Sequence, residues 1–345
     1  VPAGSQQSPL DTLDPNQIPA EERRAGQPEE LVAVLAPAQK YRTGHTFVAA
    51  VAFHPSGRWL VSTYRGELGE LFVRVWDLAT PRQVLETGVS DSRLCTIAFA
   101  PDGKTAAFGN EGFYGIHLAD FQDGRLSERQ AAQVPFAERP KSPSAVHTLA
   151  FTPDGGALLA AAGGFDKALR LWDVGGAALR LKSSVQLPGF VLAAALTPDG
   201  KTAAAACDDK TVRLYDLAVT PPAERAVLAH AARVHSVTFA PDGRSLAAGC
   251  ADKTVWLWDL GQEPARPRAK LEGHAAEVTE VAFAPDGSLL VSGDRNARVL
   301  VWKASGEKLR EWPYGVPATF APDSRHLALS HAQSIYIVRL PGKGP

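Results

Sequence analysis

The stretch FAPDGRSLAAGCADKTVWLWDL, from Phe239 to Leu260, alternates apolar runs with two turns. Val234 to Phe239 reads as an apolar strand, and Ala240-Pro241-Asp242-Gly243 as the tight turn that ends it. Proline presets φ near about −65° at the second turn position, and glycine takes the left-handed conformation after it. Leu246 to Cys250 forms a second strand, Asp252-Lys253-Thr254 turns the chain again, and Val255 to Trp258 forms a third. A fourth is expected near Ala269 to Leu271. The unit is a four-stranded antiparallel meander, strands a to d, of about 40–45 residues, the period of a propeller blade.

Close copies of the stretch begin at Phe151, Leu196 and Phe283, and frayed ones at Phe53, Phe99 and Phe320. In chain order the anchors Phe53, Phe99, Phe151, Leu196, Phe239, Phe283 and Phe320 lie 46, 52, 45, 43, 44 and 37 residues apart. Each precedes a Pro-Asp-Gly turn or a near equivalent, His54-Pro55-Ser56-Gly57 in the first and Ala321-Pro322-Asp323-Ser324 in the last. Seven anchors predict an all-β, seven-bladed propeller. The seventh unit supplies strands at Ala318–Phe320, His326–Leu329 and Ile335–Val338 but no fourth. An orphan apolar run, Leu31 to Leu35, precedes the first anchor. It is expected to become the outer strand of blade seven, because an open ring would leave unpaired backbone groups along an edge. The domain is therefore drawn as 30–341, with residues 30–36 latching the ring.

The chain resembles the WD-repeat β-propeller family over residues 30 to 340. The Trp-Asp that closes strand c in that family stands here as Trp76-Asp77, Trp172-Asp173 and Trp258-Asp259. Tyr215-Asp216 and Trp302-Lys303 are near misses, and Ala119-Asp120 and Val338-Arg339 are degenerate. Seven phased copies are specific for the fold and nearly silent on function. The resemblance implies a hydrogen-bonded tetrad in each blade, made of a His before strand a, a Ser or Thr in strand b, an Asp in the b–c turn and the strand-c Trp. Buried polar groups persist when each has a partner.

Blade six supplies His274, Ser292 and Trp302, with Asn296 where the Asp is expected. Blade one supplies His45, Ser62 and Trp76, with Glu70 in the acid's place. Blade five has His230, Asp252 and Trp258, but Ala248 replaces the hydroxyl. Blade three keeps Asp166 and Trp172, and blade four keeps Asp209 with Tyr215. By this alignment no unit is complete. A catalytic triad needs one nucleophile and one base at a single site, whereas here His, Ser and Asp recur blade by blade with disabling substitutions. No catalytic residue is assigned.

Lys and Arg number 36 against 37 Asp and Glu, a formal net charge of −1, which argues against a nucleic-acid binder with its basic stripe. The apolar residues, 45% of the chain, fall in short runs. None approaches the roughly 20 residues of a membrane span. Of three cysteines, Cys207 and Cys250 occupy equivalent positions in adjacent repeats, and none has metal-finger spacing. Asp208-Asp209 is a paired carboxylate, but Asp209 is its repeat's turn Asp. We expect no metal and no cofactor, a reducing compartment, and cytoplasmic localisation. The sequence contains no Met, so Val1 is not a translation start, and export after removal of a signal peptide is the alternative.

Residues 1–29 carry Pro2, Pro9, Pro15, Pro19 and Pro28 and read as a linker, with one helical turn over Pro19 to Arg24. Their LDPNQIPAEER segment is similar to the approach to propellers in large bacterial multidomain proteins.

Where fold positions repeat, function should lie where the repeats differ. The resemblance implies that the d–a and b–c loops share one face around the central channel. It also places on that face the residues six and four before each anchor and the residue before each turn Asp. Counting back gives Phe47/Ala49, Arg93/Cys95, Ala145/His147, Phe190/Leu192, Arg233/His235, Glu277/Thr279 and Tyr314/Val316. The b–c turns give Gly69, Phe165, Asp208, Ala251 and Arg295. From these we select Phe47, Arg93, His147, Phe165, Phe190, Arg233, His235, Arg295 and Tyr314 as partner-binding residues, since aromatics and arginines carry most interface energy. The long interval before Phe151 includes Pro135 to Pro143, which is expected to overhang the same face. The expected function is a monomeric, non-enzymatic scaffold for protein or peptide partners. The alternatives are a sensing module of a larger signalling protein such as a kinase, or a propeller enzyme acting on a small molecule or sugar.

Overall fold

The computed structural model describes residues 8–23, 27–36, 47–65, 71–88, 93–111, 115–129, 146–162, 167–176 and 179–340. These form seven four-stranded antiparallel sheets, each built from strands consecutive in sequence except the last. The opening stretch lies in blade five, whose strands are Val234–Phe239, Ser245–Cys250, Thr254–Asp259 and Arg266–Glu272. Blade six follows with Val278–Phe283, Leu289–Asp294, Val299–Lys303 and Lys308–Trp312.

Blade seven is closed by the two ends of the chain. Its inner strands are Ala318–Phe320, His326–His331 and Ser334–Arg339, and its outer strand is Leu31–Leu35. Leu31 pairs with Val338, Ala33 with Ile337, Val34 with Tyr336 and Leu35 with Ile335. The latch strand is buried along its whole length, as is strand b of blade four, Thr202–Cys207. A strand covered on both faces cannot alternate apolar with polar residues.

The core is divided among the seams. Each of seven buried clusters joins side chains of two neighbouring blades. Trp172, for example, packs with Leu158 of its own blade three and with Ala107 and Leu118 of blade two. The Pro-Asp-Gly turns interlock in the same sense around the ring. At Gly200, where φ is +69°, a methyl group would stand 2.8 Å from Cδ of Pro153 in the preceding turn. The same neighbour relation joins Pro101 to Gly155, Pro198 to Gly243 and Pro241 to Gly287. The glycine thus serves both the left-handed turn and a tight blade-to-blade approach.

Residues 8–22 differ from a free linker. They make three short 3₁₀ turns, Pro9–Thr12, Pro15–Gln17 and Ala20–Glu22. The last of these takes the place of the helical turn expected over Pro19 to Arg24. Leu10 and Leu13 are buried in the cluster that joins blades seven and one. Composition pointed to a linker because prolines dominate the segment; two leucines three residues apart, finding a seam to fill, are enough to seat it.

Candidate partner-binding face

The buried polar network comes first, since its residue types are those of a hydrolase triad. In blade six His274 is bonded through Nε2 to Ser292 Oγ at 2.7 Å and through Nδ1 to Asp294 Oδ2 at 3.0 Å. Trp302 Nε1 donates to the same Ser292 Oγ at 2.8 Å. Burial lowers the His274 pKa, partly offset by Asp294, so the neutral ring donates from Nδ1 and accepts at Nε2. The acid of this tetrad is therefore Asp294, the last residue of strand b, and not Asn296. Asn296 instead donates its backbone N–H to Asp294 Oδ1 at 2.9 Å, and Arg298 N–H joins it at 3.1 Å. A two-oxygen carboxylate holds the histidine with one atom and the b–c turn with the other. Blade six is a complete unit, which corrects the alignment that left every blade without one. The side chains of His274 and Asp294 are fully buried and Ser292 is inaccessible. No substrate reaches this hydroxyl, so the network is structural.

Blade five shows what happens without the hydroxyl. With Ala248 in strand b, Trp258 Nε1 donates directly to His230 Nε2 at 3.1 Å, and His230 Nδ1 turns to the Leu228 carbonyl at 3.1 Å. Asp252 accepts from Thr254 Oγ1 at 2.6 Å. In blade one Trp76 donates to Ser62 at 2.8 Å. Asp209 of blade four accepts from the Thr211 backbone and hydroxyl and from Arg213. Trp172 lies in the seam between blades two and three, and His45, Glu70 and Asp166 fall outside the described residues.

The inner strands hold the residues counted back from the anchors. In blades one to six strand a slips register against strand b once, between Val48 and Ala50, Leu94 and Thr96, Val146 and Thr148, Val191 and Ala193, Val234 and Ser236, and Val278 and Glu280. The skipped residues are Ala49, Cys95, His147, Leu192, His235 and Thr279, the ones counted back by four from the anchors. A bulge re-aims its extra side chain and bends the strand; among these residues His147 is exposed, whereas Ala49, Leu192, His235 and Thr279 are half-buried.

The next residue has a separate task that the sequence reading missed. Strand a is the inner edge of its sheet, and some of its N–H groups face the neighbouring blade unpaired by the ladder. Thr148 Oγ1 accepts from Ala194 N at 3.3 Å, Ser236 Oγ from Val281 N at 3.1 Å, and Glu280 Oε2 from Ala318 N at 3.0 Å. Each side chain caps an edge donor of the following blade. A polar residue three before the anchor was the available signal.

Burial pushes Glu280 up to about 7 from an ordinary 4.5, only partly offset by the Ala318 N–H. A carboxyl raised in the folded state binds its proton better there than in the unfolded chain, so stability from this group falls as pH rises from about 4.5 through 7. Glu280→Gln keeps an acceptor for Ala318 N–H and removes that slope. The variant is expected to be more stable than the native chain by about 1–3 kcal/mol at pH 8 and indistinguishable at pH 5. Urea titrations at the two pH values measure it, and parallel pH profiles would contradict it.

The selected rim residues fall into separate groups. Arg295 contacts Glu277 at 2.7 Å and His235 contacts the same carboxylate at 3.2 Å, which ties blades five and six together at their loop ends. Burial lowers the His235 pKa, partly countered by Glu277. Arg233 is exposed beside them, its carbonyl accepting from Ala251 N at 2.9 Å. Phe190 is held by reciprocal bonds with Asp208, N–H to Oδ1 at 2.7 Å and carbonyl to N–H at 3.0 Å. Lys167 Nζ lies 4.8 Å from the Phe190 ring centre. Tyr314 lies tilted against His331, with ring centres 4.3 Å apart, and meets Tyr336 edge-on at 5.9 Å. Phe47 is 51% exposed, and His147 is exposed. Arg93 opens the inner strand of blade two. Phe165 and the segment Pro135 to Pro143 lie outside the described residues.

Glu277, which meets both Arg295 and His235, and a row of lysines carry no distinguishing signal in the sequence. Lys167, Lys210 and Lys253 occupy the same place in the b–c turns of three consecutive blades, with φ of +45°, +69° and +70°. Lysine is rarely found there, and each position carries a modest strain.

Five segments of the chain, 37–77, 138–173, 182–216, 224–259 and 265–303, match the family model for the WD domain, G-beta repeat. The chain belongs to the WD40 repeat family. The matched segments contain the strand-c endings Trp76-Asp77, Trp172-Asp173, Tyr215-Asp216, Trp258-Asp259 and Trp302-Lys303, whereas the degenerate endings of blades two and seven lie outside them. WD40 propellers are typically protein-interaction scaffolds and generally not enzymes. Over 114 residues, 33% of this chain, the WD40 domain is 40% identical to Centriole proteome protein 16 of Chlamydomonas reinhardtii. That match covers 5% of the relative's length. It lends no support to the bacterial origin suggested by the tail. Among the described residues no helix is long and apolar enough to cross a membrane.

Proposed function

We propose that this WD40 propeller is a non-catalytic scaffold that holds a protein or peptide partner on the face bearing the d–a and b–c loops. The observation that carries the reading is the register slip in the inner strand of blades one to six, which falls each time at a position whose residue type varies around the ring. A rigid ring loses little conformational entropy on binding. The polar groups that resemble a triad are sealed inside blade six, which supports binding over chemistry.

Charge favours an acidic partner segment. Among the described residues three carboxylates of these loops are engaged within the chain, Asp208 by Phe190 N–H, Asp209 by Arg213 and Glu277 by Arg295 and His235. Arg233, Lys210 and Lys253 are exposed around them. The stretch shared with a protein named for the centriole proteome supports a place in a multiprotein assembly. Cys207 and Cys250 are free and buried, which suits a reducing, cytoplasmic setting.

Arg233→Ala with Phe190→Ala is expected to weaken partner binding by at least about tenfold while leaving the melting midpoint within a few degrees of the native value. Quantitative pull-down from the cognate cell extract, with a thermal melt of the same preparations, tests it. Equal recovery of a verified partner by both proteins would remove the assignment of this face.

A further inference from the structure

We infer that the seam between blades seven and one, on the opposite face from the loops discussed above, is a peptide-binding groove that the chain's own residues 8–13 occupy. This seam is built differently from the others. The inner strand of blade seven has only three residues, Ala318–Phe320, where blades one to six have six or seven. The interlock of turns is also different here. At four other seams the proline of one turn meets the glycine of the next, but the neighbour of Gly57 in blade one is Pro9, at 3.9 Å from a methyl group placed there. The N-terminal segment thus supplies a proline at the point where the ring's first and last turns meet.

The contacts are those of a bound peptide. Leu10 is 0% and Leu13 5% exposed, in one cluster with Leu35, Ala321 and Ala328 of blade seven and with Leu60, Trp76 and Leu78 of blade one. Ser8 Oγ donates to Asp323 Oδ2 at 2.7 Å, and Arg325 Nη2 meets Asp11 Oδ2 at 2.8 Å with both side chains largely buried. On the receptor side Asp323 also binds His326 Nδ1 at 2.8 Å. Burial would raise the Asp323 carboxyl, but the hydrogen bonds from His326, Ser8 and Arg325 N–H hold it well below the usual carboxylate range. On the ligand side the segment sets its own shape. Ser8 and Asp11 form a reciprocal capping box around Pro9, with Ser8 N–H donating to Asp11 Oδ2 at 2.9 Å and Leu10 N–H to Ser8 Oγ at 3.2 Å. A segment ordered by its own local bonds gives up less entropy on docking. Two apolar anchors three residues apart, flanked by a hydroxyl donor and a carboxylate, are what the groove recognises.

The test uses the full chain. Leu10→Ala with Leu13→Ala empties the anchor sites, and this variant should melt several degrees below the native protein. A fluorescein-labelled synthetic peptide of residues 8–23 should bind the variant, restore its melting midpoint, and fail to bind the native chain, whose groove is filled. A second peptide with Asp11→Ala should bind about tenfold more weakly, since it loses both the cap and Arg325. An unchanged melting midpoint in the variant, or equal peptide binding to both proteins, would overturn the inference. Should the variant not fold, hydrogen exchange on the native chain decides it. The amide of Leu13, bonded to the Leu10 carbonyl, should be protected yet open before the blade strands, and exchange at the rate of free peptide would overturn the proposal. Both outcomes are independent of the partner-binding face.

Discussion

Removal of residues 30–36 is expected to abolish cooperative folding of the whole ring. These residues include the outer strand of blade seven, whose five members Leu31 to Leu35 are all buried. Their loss strips the ladder from Ser334–Arg339 and exposes that strand's edge. Leu31 and Val34 also belong to the seam with blade six, and Val32, Ala33 and Leu35 to the seam with blade one. One deletion therefore thins two of the seven core clusters. Burying a leucine or valine side chain contributes about 1.5–3 kcal/mol, so four of them rival the roughly 5–15 kcal/mol by which a domain is stable at all. The expected result is a broad or absent thermal transition with loss of near-ultraviolet circular dichroism. A sharp transition at the native midpoint would show that blade seven holds without its fourth strand, and the closure argument would fail.

Asp294→Ala is the point substitution expected to cost most, about 3–5 kcal/mol. The carboxylate is fully buried and accepts from His274 Nδ1 and from the backbone N–H groups of Asn296 and Arg298. Truncation leaves the fully buried His274 Nδ1–H without an acceptor, at about 1–3 kcal/mol, and removes the anchor of the half-exposed Asn296 and Arg298 N–H groups that shape the b–c turn. Ser292→Ala should cost much less, on the order of 1 kcal/mol, because blade five shows the alternative, a direct Trp258–His230 bond across Ala248. The ranking separates the network's acid from its hydroxyl. The same network predicts acid sensitivity. The His274 pKa is lowered in the fold, so the unfolded chain takes up protons more readily as pH falls below about 6.5, and stability falls with it. Replacing His274 with Asn should make that limb shallower without removing it, since burial also lowers the pKa of His54, His230 and His235. Urea midpoints measured between pH 5 and pH 7.5 decide both points, and equal destabilisation by the alanine substitutions at 292 and 294 would refute the assigned roles.

The sequence by itself determined the repeat, the blade count and the latch. Each depended on local signals: a proline and glycine at fixed turn positions, apolar runs of strand length, and one apolar run at the N-terminal end matched by one missing at the other. The residues counted back by four from the anchors in blades one to six all fall at the register slip, an offset that stays constant because strand and turn lengths do. What they would touch was not legible. Turn counting puts Asn296 in the acid's place and leaves blade six without an acid, because it cannot tell which of two nearby polar residues the histidine of the preceding loop will reach; folding selects Asp294. Glu277 became a hub, and Leu10 and Leu13 a plug, through contacts formed only once blades five and six, or seven and one, stood side by side. Strand periodicity is set by each residue's immediate neighbours and survives in one dimension. Hydrogen-bond partners and seam fillers are set by distance across the closed ring, and only the tertiary structure brings those atoms within reach.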